Sequence, residues 1–498
     1  MAAVVNEIPG FRPRVHFAPQ KNWINDPNGL VFDAATGLYH LFFQHNPFGD
    51  VWGHMSWGHA TSPDLLHWTE LPLAIPEDER ASIYSGSIVI DHQGTAGFGA
   101  GAWVACYTGC LRRPEGGQAQ ELAYSLDRGL TWTKYAGNPV LDLGLKEFRD
   151  PKVFWHEATG RWIMAVVLPE ERRVAFYASA NLRDWALRSH FGPTGCTSAI
   201  WECPDLIHFP APGEATGRSL ASSTPSGGGA SPGDAPGGSM SRWLLKVDTF
   251  EGHPAGSGAQ CWVGHFDGEG FKAETEAFWA DQGSDFYAAL SFAGLPAGRA
   301  PVWVAWMNQH AYAKHTPTLP WRGAMSLPRE LALAQTPEGW RLLQSPVSTE
   351  ALRGTARHLA GAGLVDAAGD VLELRWELDP GEADASTLDV RCGPGGESTQ
   401  IGVDHRRGLV WLDRSHSGHI PSTAHWLGRR EQAWAGARGP LELRVIVDRC
   451  SVEVFSGDGR VALTEVIYPS PASVGVAVLK QGRGDWLRSV LTVWPLNA

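Results

Sequence analysis

One turn pattern recurs along the N-terminal part of the chain and limits its possible folds more than any other feature. It consists of a short apolar strand, a serine, a turn holding Asp or Asn, then a tryptophan and a second strand. It reads ATSPDLLHWTEL at 60–71, AYSLDRGLTWTKY at 123–135 and YASANLRDWALRSHF at 177–191. The serines Ser62, Ser125 and Ser179 stand roughly 60 residues apart, the size of a four-stranded propeller blade. Between them run alternating or β-branched segments such as LYHLFFQ, SIVID, WVACYT and RWIMAVV, punctuated by Gly, Pro, Asn and Asp. The expectation is an all-β chain whose first part is a propeller of about five blades. A sandwich with long hairpins is the competing architecture, and the repeat favours the propeller.

At 498 residues the chain exceeds one ordinary core, so a second domain is expected. Two shifts in composition mark its organisation. Residues 211–241 are Gly/Ser/Pro/Ala-rich and read as a flexible surface loop within the first domain, because strand-like sequence resumes at RWLLKVDTF. After MSLPREL the tryptophan-rich repeat stops. The boundaries drawn are 1–335 for a five-bladed β-propeller, 336–349 for a linker and 350–498 for a C-terminal β-sandwich, where VLELRWEL, GLVWLDR and LELRVIVDRCSVEVFSG alternate with turns.

Charge and cysteine content exclude several classes of function. A formal net charge of -12 argues against nucleic acid or an anionic membrane as partner. No apolar run is long enough to span a bilayer. The opening MAAVVNEIPGFRPRVHF lacks the layout of a signal peptide, so a cytoplasmic location is expected, or a secreted one if a leader has been removed. The seven cysteines are odd in number and scattered, which fits reduced thiols. No phosphate-binding Gly loop, HExxH or acidic calcium loop is present, so neither a cofactor nor a metal is expected. The 23 tryptophans could stack on sugar faces, although most of them are assigned to the core.

Three carboxylates stand apart from surface charge because each lies in a turn beside bulky apolar sequence. Asp26 lies in WINDPNG, Asp150 in FRDPKVFW and Glu202 in IWECPDL. Asp before Pro is common in loops, so each Asp alone could be turn chemistry. In a propeller, however, strand ends from successive blades converge on one funnel. A carboxylate against aromatics loses solvation and suits a proton donor, which points to Glu202, between Trp201 and Cys203, as acid/base. Asp26 beside the Asn25 amide is the nucleophile candidate. Asp150 beside Arg149 is expected to stay ionised and grip substrate hydroxyls. Jointly the three indicate glycoside chemistry, in which a close carboxylate pair retains configuration.

With these residues in place, the chain resembles the glycoside hydrolase family of β-fructosidases (invertase, exo-inulinase, levanase). The likeness extends beyond the three turns to YHLFFQHNPFGDVWGHMSWGHATSPDLLHW, YSGSIVID, FRDPKVFWHE and PWRGAMSLPREL, and so covers the N-terminal 335 residues. It implies a five-bladed propeller followed by a β-sandwich. It also implies that Asp26 attacks the anomeric carbon of a terminal β-fructofuranosyl unit, that Glu202 protonates the leaving oxygen and then activates water, and that Asp150 holds fructose hydroxyls. Asn25, Gln44, Trp52, Ser85 and Arg149 match positions lining the fructose pocket, and Cys203 is counted among the substrate contacts. Tyr84 stands where the family often has Phe. Asp285 and Tyr287 in SDFYA match the pocket rim. His310, in WMNQH, replaces a customary aromatic wall.

The implied activity is exo-hydrolysis of sucrose or fructans, with a small-molecule or oligosaccharide partner. A levan-type fructotransferase of the same fold is the alternative, kept open by the NEIPGFR opening. A non-catalytic fructan-binding lectin ranks last, since all three carboxylates are present. The sandwich carries no acidic cluster and is read as a packing partner that shapes substrate access or homo-oligomer contacts.

Overall fold

The computed structural model describes residues 10–210, 241–366, 368–421, 425–434 and 439–497. The loop expected at 211–241 lies outside these residues except for Ser241. Among the described residues there are strands and three single-turn 3-10 segments, with no α-helix. Five sheets follow one another up to residue 346, and two six-stranded sheets form the rest.

The inner strands of the five blades are Asn22–Asp33, Ala81–Asp91, Arg149–His156, Trp201–Phe209 and Tyr287–Ser291. Each touches the next, and the fifth returns to the first, so the blades close into a ring. Closure is fastened by the short strand Trp321–Arg322, which pairs parallel with Asn22 and Trp23. Apolar side chains from facing blades fill the seams. Val31, Phe42 and Trp57 of the first blade meet Ile88, Trp103 and Tyr107 of the second. Ile163, Val167 and Phe176 of the third meet Trp201, Leu245 and Trp262 of the fourth. Each such side chain contributes about 1.5–3 kcal/mol of burial, so the seams hold the ring together. Most tryptophans are buried, and Trp57, Trp201, Trp262 and Trp303 of the propeller and Trp376 and Trp426 beyond it are fully so.

The repeated turn has a physical basis. In blades one to three it joins the third strand to the fourth. The Ser62 hydroxyl accepts the Leu65 N–H at 2.8 Å, the Ser125 hydroxyl accepts that of Gly129 at 2.8 Å, and the Ser179 hydroxyl accepts that of Asn181 at 3.1 Å. The following indoles, Trp68, Trp132 and Trp185, donate to the carbonyls of Leu65, Gly129 and Leu182 at 3.1, 3.0 and 2.9 Å. Each turn places one non-glycine residue at positive φ: Leu65, Arg128 or Leu182.

The propeller extends beyond the boundary drawn at 335. Gly339–Pro346 is the outer strand of the fifth blade and pairs along its length with Arg329–Thr336, so most of the stretch read as a linker belongs to the blade. Its side chains alternate between buried and half-buried, a weak signal for an outer strand. The sandwich packs its two sheets around Leu, Val and Ile with Trp376 at the centre.

Buried ion pairs join the domains. Arg329, in the fifth blade, contacts Asp281 at 2.9 Å, and Glu453 and Thr464 of the sandwich at 2.7 and 2.5 Å. His16 lies at 2.9 Å from both Asp448 and Glu453. Burial alone would lower the His16 pKa, but the two carboxylates raise it to about 9. A raised folded-state pKa stabilises the protein fully below the ordinary histidine value, and the gain is lost as pH rises through 9. Thermal midpoints measured from pH 6 to 9.5 should therefore fall more steeply for the parent than for His16→Gln. Parallel curves would exclude a charged His16.

Candidate active site

Every inner strand breaks its ladder near its N-terminal end. The register shifts fall at Ile24/Pro27 in the first blade, Ile83/Gly86 in the second, opposite Ala165/Val167 in the third, at Glu202/Asp205 in the fourth and at Tyr287/Leu290 in the fifth. Three bulges contain a proline that cannot donate to a ladder: Pro27, Pro151 and Pro204. Three hold a non-glycine residue at positive φ: Asp150 at 65°, Cys203 at 47° and Ala288 at 55°. Bulges re-aim side chains, and here they turn Asp26, Ser85, Asp150 and Glu202 into one funnel of about 440 Å³.

Asp26 accepts the Ser85 hydroxyl at 2.6 Å and the Asn25 amide at 3.1 Å, and Asn25 is itself oriented by the Trp23 indole at 2.8 Å. These two contacts fix the orientation of the carboxylate within the funnel. Glu202 accepts two hydrogen bonds from Arg149 on Oε1, at 2.9 and 3.2 Å, and the Tyr287 hydroxyl on Oε2 at 2.5 Å. Arg149 also contacts Gln118 at 3.1 Å and pairs with Glu147. Asp150 accepts the Cys203 N–H at 2.9 Å. The Cys203 thiol lies 3.6 Å from both Asp26 and Asp150, so the three carboxylates share one small volume.

The electrostatics reverse two expectations. Burial pushes Glu202 up, as its neighbour Trp201 suggested, but Arg149, His310 and the Tyr287 hydroxyl outweigh burial and hold the carboxyl below its ordinary value. Asp150, expected to stay ionised beside Arg149, is pushed up to about 7. Burial dominates there, Arg149 offsets only part of it, and the charges of Glu202 and Asp26 add to the rise. The cause is geometric: Arg149 lies 2.9 Å from Glu202 but 3.9 Å from Asp150.

Most of the residues singled out from sequence meet here. Asn25, Gln44, Trp52, Tyr84 and Ser85 line the funnel with Arg149, His310 and the three carboxylates. Tyr287 acts from behind, through its hydroxyl on Glu202. Cys203 is buried beneath the carboxylates rather than lining the funnel. Asp285 does not reach the funnel at all. It is fully buried against the sandwich and accepts from Arg414 at 2.7 Å, from Tyr312 at 2.5 Å and from the Val466 N–H at 2.9 Å. Its role is structural, because those partners use both of its oxygens. Trp23, Gln118, Glu147, Phe250, Trp306 and Lys314 also line the funnel and were not singled out. Glu147 and Trp23 flank recognised motifs, whereas Phe250 and Lys314 carry no sequence signal.

A closed five-bladed ring with a carboxylate pair in its funnel, backed by a sandwich, defines a glycoside hydrolase. The chain matches the glycosyl hydrolases family 32 N-terminal domain over residues 16–346 and the family 32 C-terminal domain over 341–495. It is 40% identical over 509 residues to a levanase of Bacillus subtilis, covering 98% of this chain and 70% of that protein. It is 36% identical over 521 residues to an extracellular exo-inulinase of Aspergillus ficuum, covering 95% and 92%. The crystal structure of exo-inulinase from Aspergillus awamori superposes with a TM-score of 0.87 at 34% identity, covering 99% of each chain. A β-fructofuranosidase of Schwanniomyces occidentalis complexed with fructosyl-erythritol gives 0.83 at 30% identity, covering 98% of each. The protein belongs to glycosyl hydrolase family 32, the β-fructosidase family.

Proposed function

We propose that the protein is an exo-acting, retaining β-fructofuranosidase that releases terminal fructose from fructans and sucrose through a covalent fructosyl-enzyme. The observation that carries this reading is the division of labour in the funnel: Asp26 held by two neutral donors, and Glu202 held on both oxygens by Arg149 and Tyr287. Asp26 attacks the anomeric carbon as Glu202 gives its proton to the departing glycosidic oxygen, leaving an ester on Asp26. Glu202 then takes a proton from water, which attacks the same carbon from the face the leaving group vacated and frees Asp26.

Before reaction the proton that Glu202 needs is shared by the cluster. The Arg149 guanidinium lies 2.9 Å from Glu202 and 3.9 Å from Asp150, and Asp150, pushed up to about 7 by burial and by the charges of Glu202 and Asp26, is the member suited to carry it. Fructose hydroxyls donating to Asp150 favour its ionised form. A glycosidic oxygen arriving at Glu202 can only accept a hydrogen bond, and so favours the protonated carboxyl that donates to it. Both changes move the proton onto Glu202.

A levanase and exo-inulinases among the relatives support fructans as substrates, and a Schwanniomyces fructofuranosidase complexed with fructose supports the fructosyl pocket. The test is product analysis on sucrose, inulin and levan in parallel. Free fructose as first product from each chain end supports the reading. A difructose dianhydride from levan would show a transferase, and binding without any product would show a lectin.

His310 walls this pocket, stacked on Phe250 at 4.0 Å and edge-on to Tyr287 at 4.6 Å. His310→Trp, which enlarges that aromatic wall, should change KM about two- to tenfold, the range an aromatic contact contributes, with kcat nearly constant. Unchanged KM on sucrose and inulin would remove His310 from the substrate contacts.

A further inference from the structure

Behind the inner strand of the fourth blade lies a buried ion pair that the reaction does not use directly. Lys246 and Asp248 are on the adjoining strand Arg242–His253, both fully buried, with the ammonium 2.5 Å from the carboxylate. Asp248 is the direct cross-strand partner of Glu202, and Lys246 is that of Asp205. Between these two pairs the inner strand bulges at Cys203 and Pro204, and Lys246 donates a second hydrogen bond to the Cys203 carbonyl at 2.6 Å. Cys203 sits at a φ of 47°, a region costly for a residue with a Cβ unless its surroundings enforce it.

The Cys203 peptide group thus has both ends tied. Its carbonyl is held by Lys246, and its N–H is aimed at Asp150 at 2.9 Å. The residue before it is the acid/base, and its thiol lies 3.6 Å from Asp26. We propose that the Lys246–Asp248 pair is a positioning device for the catalytic step, fixing the Cys203 bulge so that Glu202, Asp150 and Asp26 keep their relative places. The proposal rests on the assignment of Glu202 and Asp26 as the reacting pair.

A second feature supports a role beyond filling space. The charged groups facing Asp248 are Lys246 and Asp26, with Tyr287, Cys203 and Cys261 packed around them. Burial raises Asp248 to about 7 and Lys246 offsets part of that rise, while the charge of Asp26 adds to it. A neutral, well-packed replacement of a buried ion pair is often as stable as the pair itself. Stability and positioning can therefore be separated.

The test is the double variant Lys246→Met/Asp248→Asn, which removes the pair as a unit and strands neither charge. The expected result is a folded protein with a thermal midpoint close to the parent. Its kcat on sucrose should be down on the order of tenfold or more, the usual effect of sub-ångström misplacement of reacting groups, with KM within about threefold of the parent. Parental kcat would overturn the proposal, and so would a loss confined to KM, since either would make the pair structural only. Should the double variant fail to fold, Asp248→Asn alone, which keeps an oxygen for Lys246, carries the same comparison. Asp26→Ala is run alongside. If that variant remains active, the assignment of the reacting pair has failed; if it is inactive while the double variant matches the parent, only the positioning role has failed.

Discussion

Asp26→Ala should lower kcat for fructose release on the order of 10⁴-fold or more, because the proposed covalent route has no second nucleophile. Asp26 accepts from Ser85, Asn25 and, more weakly, the Cys203 thiol, and no ion pair to it is seen among the described residues. Its removal should therefore leave the thermal midpoint nearly unchanged, and relief of carboxylate crowding offsets part of the lost bonding. The combination of a silent site and an intact fold is the signature to measure, by fructose release and differential scanning calorimetry on the same preparation. A variant within about a hundredfold of the parent rate would contradict the assignment.

The second large effect is on stability. Arg414 extends from the sandwich into the domain interface and is 1% exposed. It contacts Asp285 at 2.7 Å, Glu465 at 2.8 Å, the Tyr312 hydroxyl at 2.8 Å and the Val466 carbonyl at 2.9 Å, and its guanidinium lies 3.8 Å from the Trp426 ring centre. Arg414→Ala leaves Asp285 buried without its cation and Glu465 with only Arg430, at 3.7 Å. Breaking a buried pair in this way costs about 3–5 kcal/mol, more than any exposed ion pair in the molecule could return. The expected result is a marked fall in the denaturation midpoint with kcat per folded molecule preserved, since none of these groups lines the funnel. An unchanged midpoint would mean the interface does not depend on this cluster.

The legible parts of the sequence were those where local chemistry and global geometry coincide. Asp26, Asp150 and Glu202 could be found because the bulges that aim them need turn residues, and the Asp-Pro, Asp-Pro and Cys-Pro pairs are written in the chain. The blades could be counted because Ser62, Ser125 and Ser179 each nucleate the same tryptophan-closed turn. The fourth and fifth blades lack that turn. Their outer connections are a loop in which Asp267 accepts the Glu269 and Gly270 N–H groups, and a tight hairpin at Thr336–Gly339. The repeat therefore fades before the last strand of the propeller, Gly339–Pro346, which carries no turn signal of this kind.

Residues whose role depends only on where the ring closes carried no local mark. Phe250 reaches the funnel from the far end of the strand Arg242–His253 in the fourth blade, and Lys314 from the 3-10 turn Ala313–His315 of the fifth. Asp285, two positions from Tyr287, points the other way along its strand entry and serves the domain interface. The relative pKa order of Glu202 and Asp150 was also hidden. Adjacency in sequence suggested that Arg149 serves Asp150, whereas the fold places its guanidinium on Glu202.

The most direct test of the account is mass spectrometry of Glu202→Ala incubated with β-fructofuranosyl fluoride, whose leaving group needs no proton. The first step then proceeds on Asp26, while the second, lacking its base, stalls. The account predicts an intact mass higher by one fructosyl unit, located after digestion to the peptide containing Asp26. Continued turnover without an adduct, or an adduct on any other carboxylate, would contradict it.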